Sequence, residues 1–163
     1  MKTWTKLFVA LIGLVAGASQ ATAQTVPYYV EGTFTGNLLD LSAVGSGIGL
    51  HMGEMEFDVA VAEDTEIYDV QTAADGSTLV LRRVDIEFEI TPADGGLFNI
   101  TGIDTWEIVG GTGRFRNAKP VDGVNIISMF FTPEPVSLAD PTHIPAAYVK
   151  TGQIDLGNKG RKE

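Results

Sequence analysis

The chain has 163 residues, a formal charge of −10 and no cysteine. Acidity on that scale serves solubility and argues against nucleic acid and anionic membrane surfaces as partners, since both would repel it. Without cysteine there are no disulfides, no thiolate nucleophile and no thiolate-held metal, so the fold rests on its core and its backbone hydrogen bonds.

Met1 to Lys6 carries two lysines and no acid, residues 7–18 are almost wholly apolar, and Ala21, Thr22 and Ala23 form a small-x-small site. That succession predicts a secretory signal of bacterial type, cleaved near Ala23, with the product secreted or periplasmic. Its apolar run is shorter than the roughly 20 residues that span a bilayer, so no membrane span is expected in the mature chain. Removing the segment with its two lysines leaves residues 24–163, one domain of 140 residues at a formal charge of −12.

The first strand is expected between Val26 and Leu41, where Tyr28, Val30, Gly32 and Phe34 alternate with Tyr29, Glu31, Thr33 and Thr35. Residues 42–49 are rich in Gly and Ser and read as a loop or a bulged strand entry. Residues 54–62 show the cleanest period of two, with Met55, Phe57, Val59 and Val61 opposed by Glu54, Glu56, Asp58 and Ala60. This predicts a half-buried antiparallel strand with its carboxylates in water. Alternate residues of a strand diverge, so the three acids do not make a metal site.

Asp75-Gly76-Ser77 is a turn signal ending a polar stretch that begins near Asp64. Residues 78–91 make the longest strand candidate, with Val80, Arg82, Val84, Ile86, Phe88 and Ile90 on one face and Leu81, Arg83, Asp85, Glu87 and Glu89 on the other. Pro92, Ala93, Asp94, Gly95 and Gly96 then turn the chain into a hairpin with residues 97–103. A further strand through Trp106 runs into Gly110, Gly111, Thr112, Gly113, Arg114 and Phe115. Three glycines in four residues mark a tight corner, with the Phe115 ring inward and the Arg114 guanidinium toward an acid. A phosphate cradle is excluded there by the missing Lys-Ser/Thr. Residues 123–132 are apolar on both faces, which points to a covering loop or a second subunit over one of them. Residues 132–145 hold four prolines and form a surface excursion, and a short last strand runs from Tyr148 to Leu156 before a charged tail.

These elements predict an all-β fold of six to eight strands, a sandwich or a closed antiparallel β-barrel, with little helix beyond the signal segment. Closure removes sheet edges that would otherwise aggregate.

The corner and the residues after it, through Asn117 and Ala118, resemble the strand–GGTGxFxxA segment of the allene oxide cyclase-like and dirigent-like β-barrels. Gly47, His51 and Gly53 are similar to the G-x-x-x-H-x-G strand start of small exported barrels of that type, and Lys150-Thr151-Gly152-Gln153-Ile154 resembles their last strand. The resemblance implies an eight-stranded barrel with an apolar interior, trimeric or dimeric in plant members. It transfers no catalytic residue. The cyclase motif of Glu with Asn and Pro has no counterpart between Tyr28 and Asp40, and the paired acids and Arg of the dirigent cavity do not map onto this chain.

His51 and His143 stand in no nucleophile or zinc spacing, and no motif implies a cofactor. The preferred reading is a non-enzymatic exported barrel that binds a small apolar ligand or a protein partner, with Phe57, Arg82, Phe88 and Trp106 as candidate ligand contacts. One alternative is a cyclase-, isomerase- or dirigent-like enzyme orienting a reactive substrate in the cavity, with Arg82 and a carboxylate as anchors. The other is a purely structural or surface protein.

Overall fold

The computed structural model describes residues 24–63, 65–123 and 125–157. The signal segment at 1–23 and the charged tail at 158–163 lie outside the described residues. The strands are β1 (Thr25–Gly36), β2 (Ala43–Gly49), β3 (Gly53–Val61), β4 (Ile67–Ala73), β5 (Thr78–Pro92), β6 (Phe98–Gly111), β7 (Lys119–Pro120), β8 (Ile126–Phe131) and β9 (Ile144–Asp155). Eight of them close an antiparallel barrel in the order β1-β2-β3-β4-β5-β6-β8-β9, and β9 returns to β1 from Thr25↔Asp155 to Gly36↔Ile144. The short β7 adds to the end of β9. The fold is therefore all-β as the alternation predicts, and it is the closed barrel rather than the sandwich.

β3 behaves as its pattern requires: Met55, Phe57 and Val59 are buried and the carboxylates face out. β2 is a full strand where a loop or bulged entry was expected. Its glycines have a packing reason. A Cβ on Gly45 would lie 2.7 Å from the Phe57 ring, and one on Gly47 would lie 2.5 Å from the Tyr148 hydroxyl. The bare wall of β2 is thus the space that these two aromatic side chains fill, and their rings meet edge to face at 5.2 Å.

β4 also lies where the sequence showed only a polar stretch ending in a turn. Its inward residues are Asp69, Gln71 and Ala73, so its alternation is inverted relative to an ordinary half-buried strand. β5 is bulged at Val84: Arg83 pairs with Trp106, and Asp85 already pairs with Thr105. Leu79, Leu81 and Arg83 point inward before the bulge and Ile86 after it. This corrects the expected face, which had placed Arg82 and Val84 with Ile86.

On β8, Ile126 and Ser128 are buried while Ile127, Met129 and Phe131 are exposed on the outer surface. Among the described residues no loop covers that outer row.

The two barrel ends differ. At one end a 3-10 turn (Gly113–Phe115) carries Phe115 into the barrel as a plug, and its ring belongs to the same buried cluster as Val26, Met52, Leu79, Ile108 and Ile154. The Arg114 guanidinium donates to the Met52 carbonyl at 2.8 Å and lies 3.4 Å from Asp75. The Gly-rich segment is this corner. A Cβ on Gly111 would stand 2.6 Å from the Thr78 carbonyl oxygen and 2.7 Å from that of Phe115, whereas one on Gly110 would meet open space. Gly111→Ala should therefore cost about 1–3 kcal/mol or abolish folding, because backbone must shift to admit the methyl. Gly110→Ala should leave the thermal midpoint, followed by circular dichroism, nearly unchanged.

Candidate functional site

Strand alternation brings four charged side chains into the middle of the barrel from four strands: Asp69 on β4, Arg83 on β5, Asp104 on β6 and Lys150 on β9. Each occupies an inward position of its strand; Leu79 and Leu81 precede Arg83 on its row, whereas Asp69 is followed by Gln71. The side chains of Lys150 and Asp69 are 4% and 0% exposed, and the Lys150 ammonium pairs directly with the Asp69 carboxylate. The ammonium also sits 4.9 Å from the ring centres of Phe57 and Trp106 and 5.4 Å from that of Tyr148. Three aromatic faces around one desolvated cation supply cation–π attraction that water would otherwise weaken.

A chain of hydrogen bonds backs this pair. Gln71 donates through Nε2 to Asp69 Oδ2 at 2.7 Å, and the Tyr28 hydroxyl donates to Gln71 Oε1 at 2.6 Å. The alternative for each of these groups is an unpaired polar atom in a dry interior, so the chain holds them in one arrangement. Burial and the nearby Asp69 carboxylate raise the Tyr28 and Tyr148 hydroxyls well above the usual phenol range.

The second pair is looser. Arg83 Nε lies 3.1 Å from Asp104 Oδ1, but the N–H and the oxygen are not aligned as a hydrogen bond. Arg83 also donates through a terminal nitrogen to the Leu41 carbonyl at 3.2 Å and stacks 4.7 Å from the Trp106 ring centre. A charge contact without a good hydrogen bond offsets little of the burial penalty. Burial accordingly pushes the Asp104 carboxyl up to about 6 despite Arg83 and Lys150, with Asp69 adding to the rise. Burial likewise lowers the Arg83 guanidinium.

Above this layer, at the end opposite the Phe115 plug, lies a cavity of about 70 Å³. Its walls are mostly apolar (Phe34, Val59, Ile86, Ile100, Phe130, Ile144 and Ala146), and its floor is Arg83, Asp104, Trp106, Ser128, Tyr148 and Lys150. Residues 37–42, the connection from β1 to β2, cross the mouth. Two bonds hold this strap: Arg83 to Leu41, and the Leu38 N–H to the Pro141 carbonyl at 2.9 Å. Trp106 Nε1, the Tyr148 hydroxyl and Asp69 Oδ1 are buried without a hydrogen-bond partner. Trp106 and Tyr148 line the cavity and Asp69 lies behind it, so the first two present unpaired groups that a polar ligand atom would satisfy.

Of the residues singled out from sequence, Phe57 and Trp106 lie in this site. Arg82 does not. It is on the outer surface, 3.0 Å from Glu66 and paired with Glu107, because the inward row of β5 is the odd-numbered one before the bulge. Phe88 returns to the inward face after the bulge, but it lies beyond the cavity and is 44% exposed. Gly110, Gly111, Thr112, Gly113, Arg114 and Phe115 are at the other end of the barrel. His51 is an exposed turn residue at φ 64°, and His143 is exposed beside Asp140. Asp69, Arg83, Asp104 and Lys150 were not identified from sequence. The available signal was a charge set into an apolar alternation, as in Ile144, Ala146, Tyr148, Lys150. Among the described residues no three His, Asp or Glu side chains are grouped as a metal site requires. No helix among them is long and apolar enough to cross a membrane.

No protein-family model matches the chain, and neither the curated proteins nor the solved structures provide a match.

The raised Asp104 value has a definite consequence for stability. Its folded pKa of about 6 lies above the ordinary 3.8, so between those values the native state holds a proton that the unfolded chain has released. Stability from this group is full below about pH 4, falls as pH rises through 4–6, and levels off above. Urea unfolding across pH 4 to 7 should show wild type losing about 3 kcal/mol relative to Asp104→Asn. Parallel curves for the two proteins would place the Asp104 carboxylate in a solvated setting.

Proposed function

We propose that the protein is an exported barrel that binds a small amphipathic molecule, its polar head on the Arg83–Asp104 floor and its apolar body between the cavity walls. The observation carrying this reading is the charged, buried layer beneath an apolar mouth, with five polar atoms left without a hydrogen bond on or behind its floor. A stable scaffold needs no such layer, since apolar side chains of similar volume are often as stabilising as a buried ion pair. The cavity volume sets the size of what is enclosed. Ligand sites for drug-sized molecules run to roughly 300–1,000 Å³, so about 70 Å³ accommodates a head of a few heavy atoms unless the strap at 37–42 moves aside.

A carboxylate head suits the floor best. Proton uptake by Asp104 releases Arg83 to a ligand anion and keeps the interior neutral. The signal-like segment 1–23 and the mature acidity support an extracytoplasmic location. The GGTGRFRNA corner supports kinship with the allene oxide cyclase-like and dirigent-like barrels, and the outward row of Ile127, Met129 and Phe131 supports association of copies in that setting.

A second reading has its own observation. A cavity carboxyl with a pKa of about 6, beside a guanidinium, is matched to proton transfer near neutral pH. In an isomerase- or cyclase-like reaction Asp104 would move the proton and Arg83 would steady developing negative charge. Under this reading Asp104→Asn abolishes turnover of a bound compound and leaves its affinity within about threefold, whereas the binding reading finds no turnover to lose.

Trp106 reports on the site directly. Titrated with octanoate, the protein should show a saturable change in Trp106 fluorescence, about tenfold weaker at pH 8 than at pH 6, and octanol should bind about tenfold more weakly than octanoate. Arg83→Leu should remove the preference for the acid. Unchanged fluorescence with both compounds, together with no small molecule retained in native mass spectra, would count against any ligand in this cavity.

A further inference from the structure

The barrel is closed, but its longest hairpin runs past the closure. β4 pairs with β5 only from Thr78 to Arg82, whereas β6 follows β5 to Pro92. After the bulge at Val84, residues 85–92 have a ladder partner on one side alone among the described residues. The other edge of the same hairpin is covered. β8 pairs with β6 from Thr101 to Trp106, Phe98 bridges Val136, and Ile100 exchanges hydrogen bonds with Thr132. The open segment is eight residues, about 26 Å of strand at the usual rise. The edge strands that closure was expected to remove are therefore not all removed, because β4 begins only at Ile67, where the turn from β3 ends, and has no residues to set beside 85–92.

An open edge of this length presents unpaired backbone donors and acceptors that another extended chain can take. Side chains decide which chain. On the cavity-side face are Ile86, Phe88 and Ile90, the last two 44% and 37% exposed. On the outer face are Asp85, Glu87 and Glu89, whose neighbours across β6 are Thr105, Ile103 and Thr101. None of those neighbours is a cation, and no ion pair reaches Glu87 or Glu89 among the described residues.

A second copy of this chain fits the edge poorly. Antiparallel pairing about Phe88 sets Glu87 of each copy against Glu89 of the other, and pairing about Glu87 sets Asp85 against Glu89. Like charges directly opposite destabilise a sheet. The same carboxylates favour a strand of opposite sign.

We propose that residues 85–91 are a docking edge for an extended segment of another protein whose side chains alternate between basic and apolar. Its backbone continues the β6–β5 ladder, its cations lie against Asp85, Glu87 and Glu89, and its apolar residues lie beside Ile86, Phe88 and Ile90.

The test uses the full chain with two synthetic decapeptides, one alternating Lys and Val and one alternating Glu and Val. Hydrogen–deuterium exchange should show the Lys–Val peptide protecting amides within residues 84–92, with affinity falling as salt rises. Glu87→Lys/Glu89→Lys, an exposed pair whose replacement leaves the core untouched, should weaken the Lys–Val peptide on the order of tenfold and admit the Glu–Val peptide. Protection spread over the acidic surface generally, or absent from residues 84–92, overturns the proposal. So does equal binding of both peptides by the doubly substituted protein. Protection of the same amides that grows with protein concentration alone assigns the edge to a second copy, and the proposal fails.

Discussion

The structure depends on one electrostatic constraint: two cations and two anions enclosed in a barrel can stay charged only by facing one another. Moving a single such ion out of water costs several kcal/mol even after relaxation. Lys150 with Asp69 and Arg83 with Asp104 make the layer neutral as a set. The rings of Phe57, Trp106 and Tyr148 add attraction for the ammonium without adding a counter-charge. The two pairs are not equal. Lys150 and Asp69 are backed by Gln71 and Tyr28, while Arg83 and Asp104 touch without an aligned hydrogen bond. Burial raises the Asp104 carboxyl to about 6, and that residue lies on the cavity side of the layer.

Backbone features make room for that layer. Glycines at 45 and 47 leave the β2 wall without side chains where Phe57 and Tyr148 need the volume. Phe115, carried by a turn after Gly111, seals the far end and leaves the near end to the strap over the cavity. The bulge at Val84 restores an apolar residue, Ile86, to the cavity wall after Arg83. The open edge outside has a different origin: β4 begins only at Ile67 and runs out before residues 85–92 of β5.

How much of this was legible follows from which residues carry the pattern. β3 alternates Met55, Phe57 and Val59 with acids, and such a strand announces its buried face. β4 carries the same period with its signs reversed: Asp69 and Gln71 are inside, and Tyr68 and Val70 are more exposed. Hydrophobic periodicity cannot identify a strand whose buried row is polar, because the partners that make burial tolerable come from elsewhere in the chain. Lys150 is 81 residues from Asp69. β2 was hidden for a related reason, since its glycines answer to rings on β3 and β9. On β5 strict alternation places Arg82 in the apolar row, whereas the inward arginine is its neighbour Arg83. Strict alternation carried through the bulge selects the wrong arginine.

Composition, turn residues and the period of two were enough to determine an all-β chain of six to eight strands, closed barrel or sandwich, and the place of its glycine corner. Those are consequences of local conformational preference and of which residues water excludes. Tertiary structure alone decided which charges are inside, which aromatic rings surround them, and where the ladder stays open. Each of these is settled by pairing between residues far apart in the chain. A buried Asp and a buried Lys are unfavourable apart and become acceptable only when closure of the barrel brings them into contact.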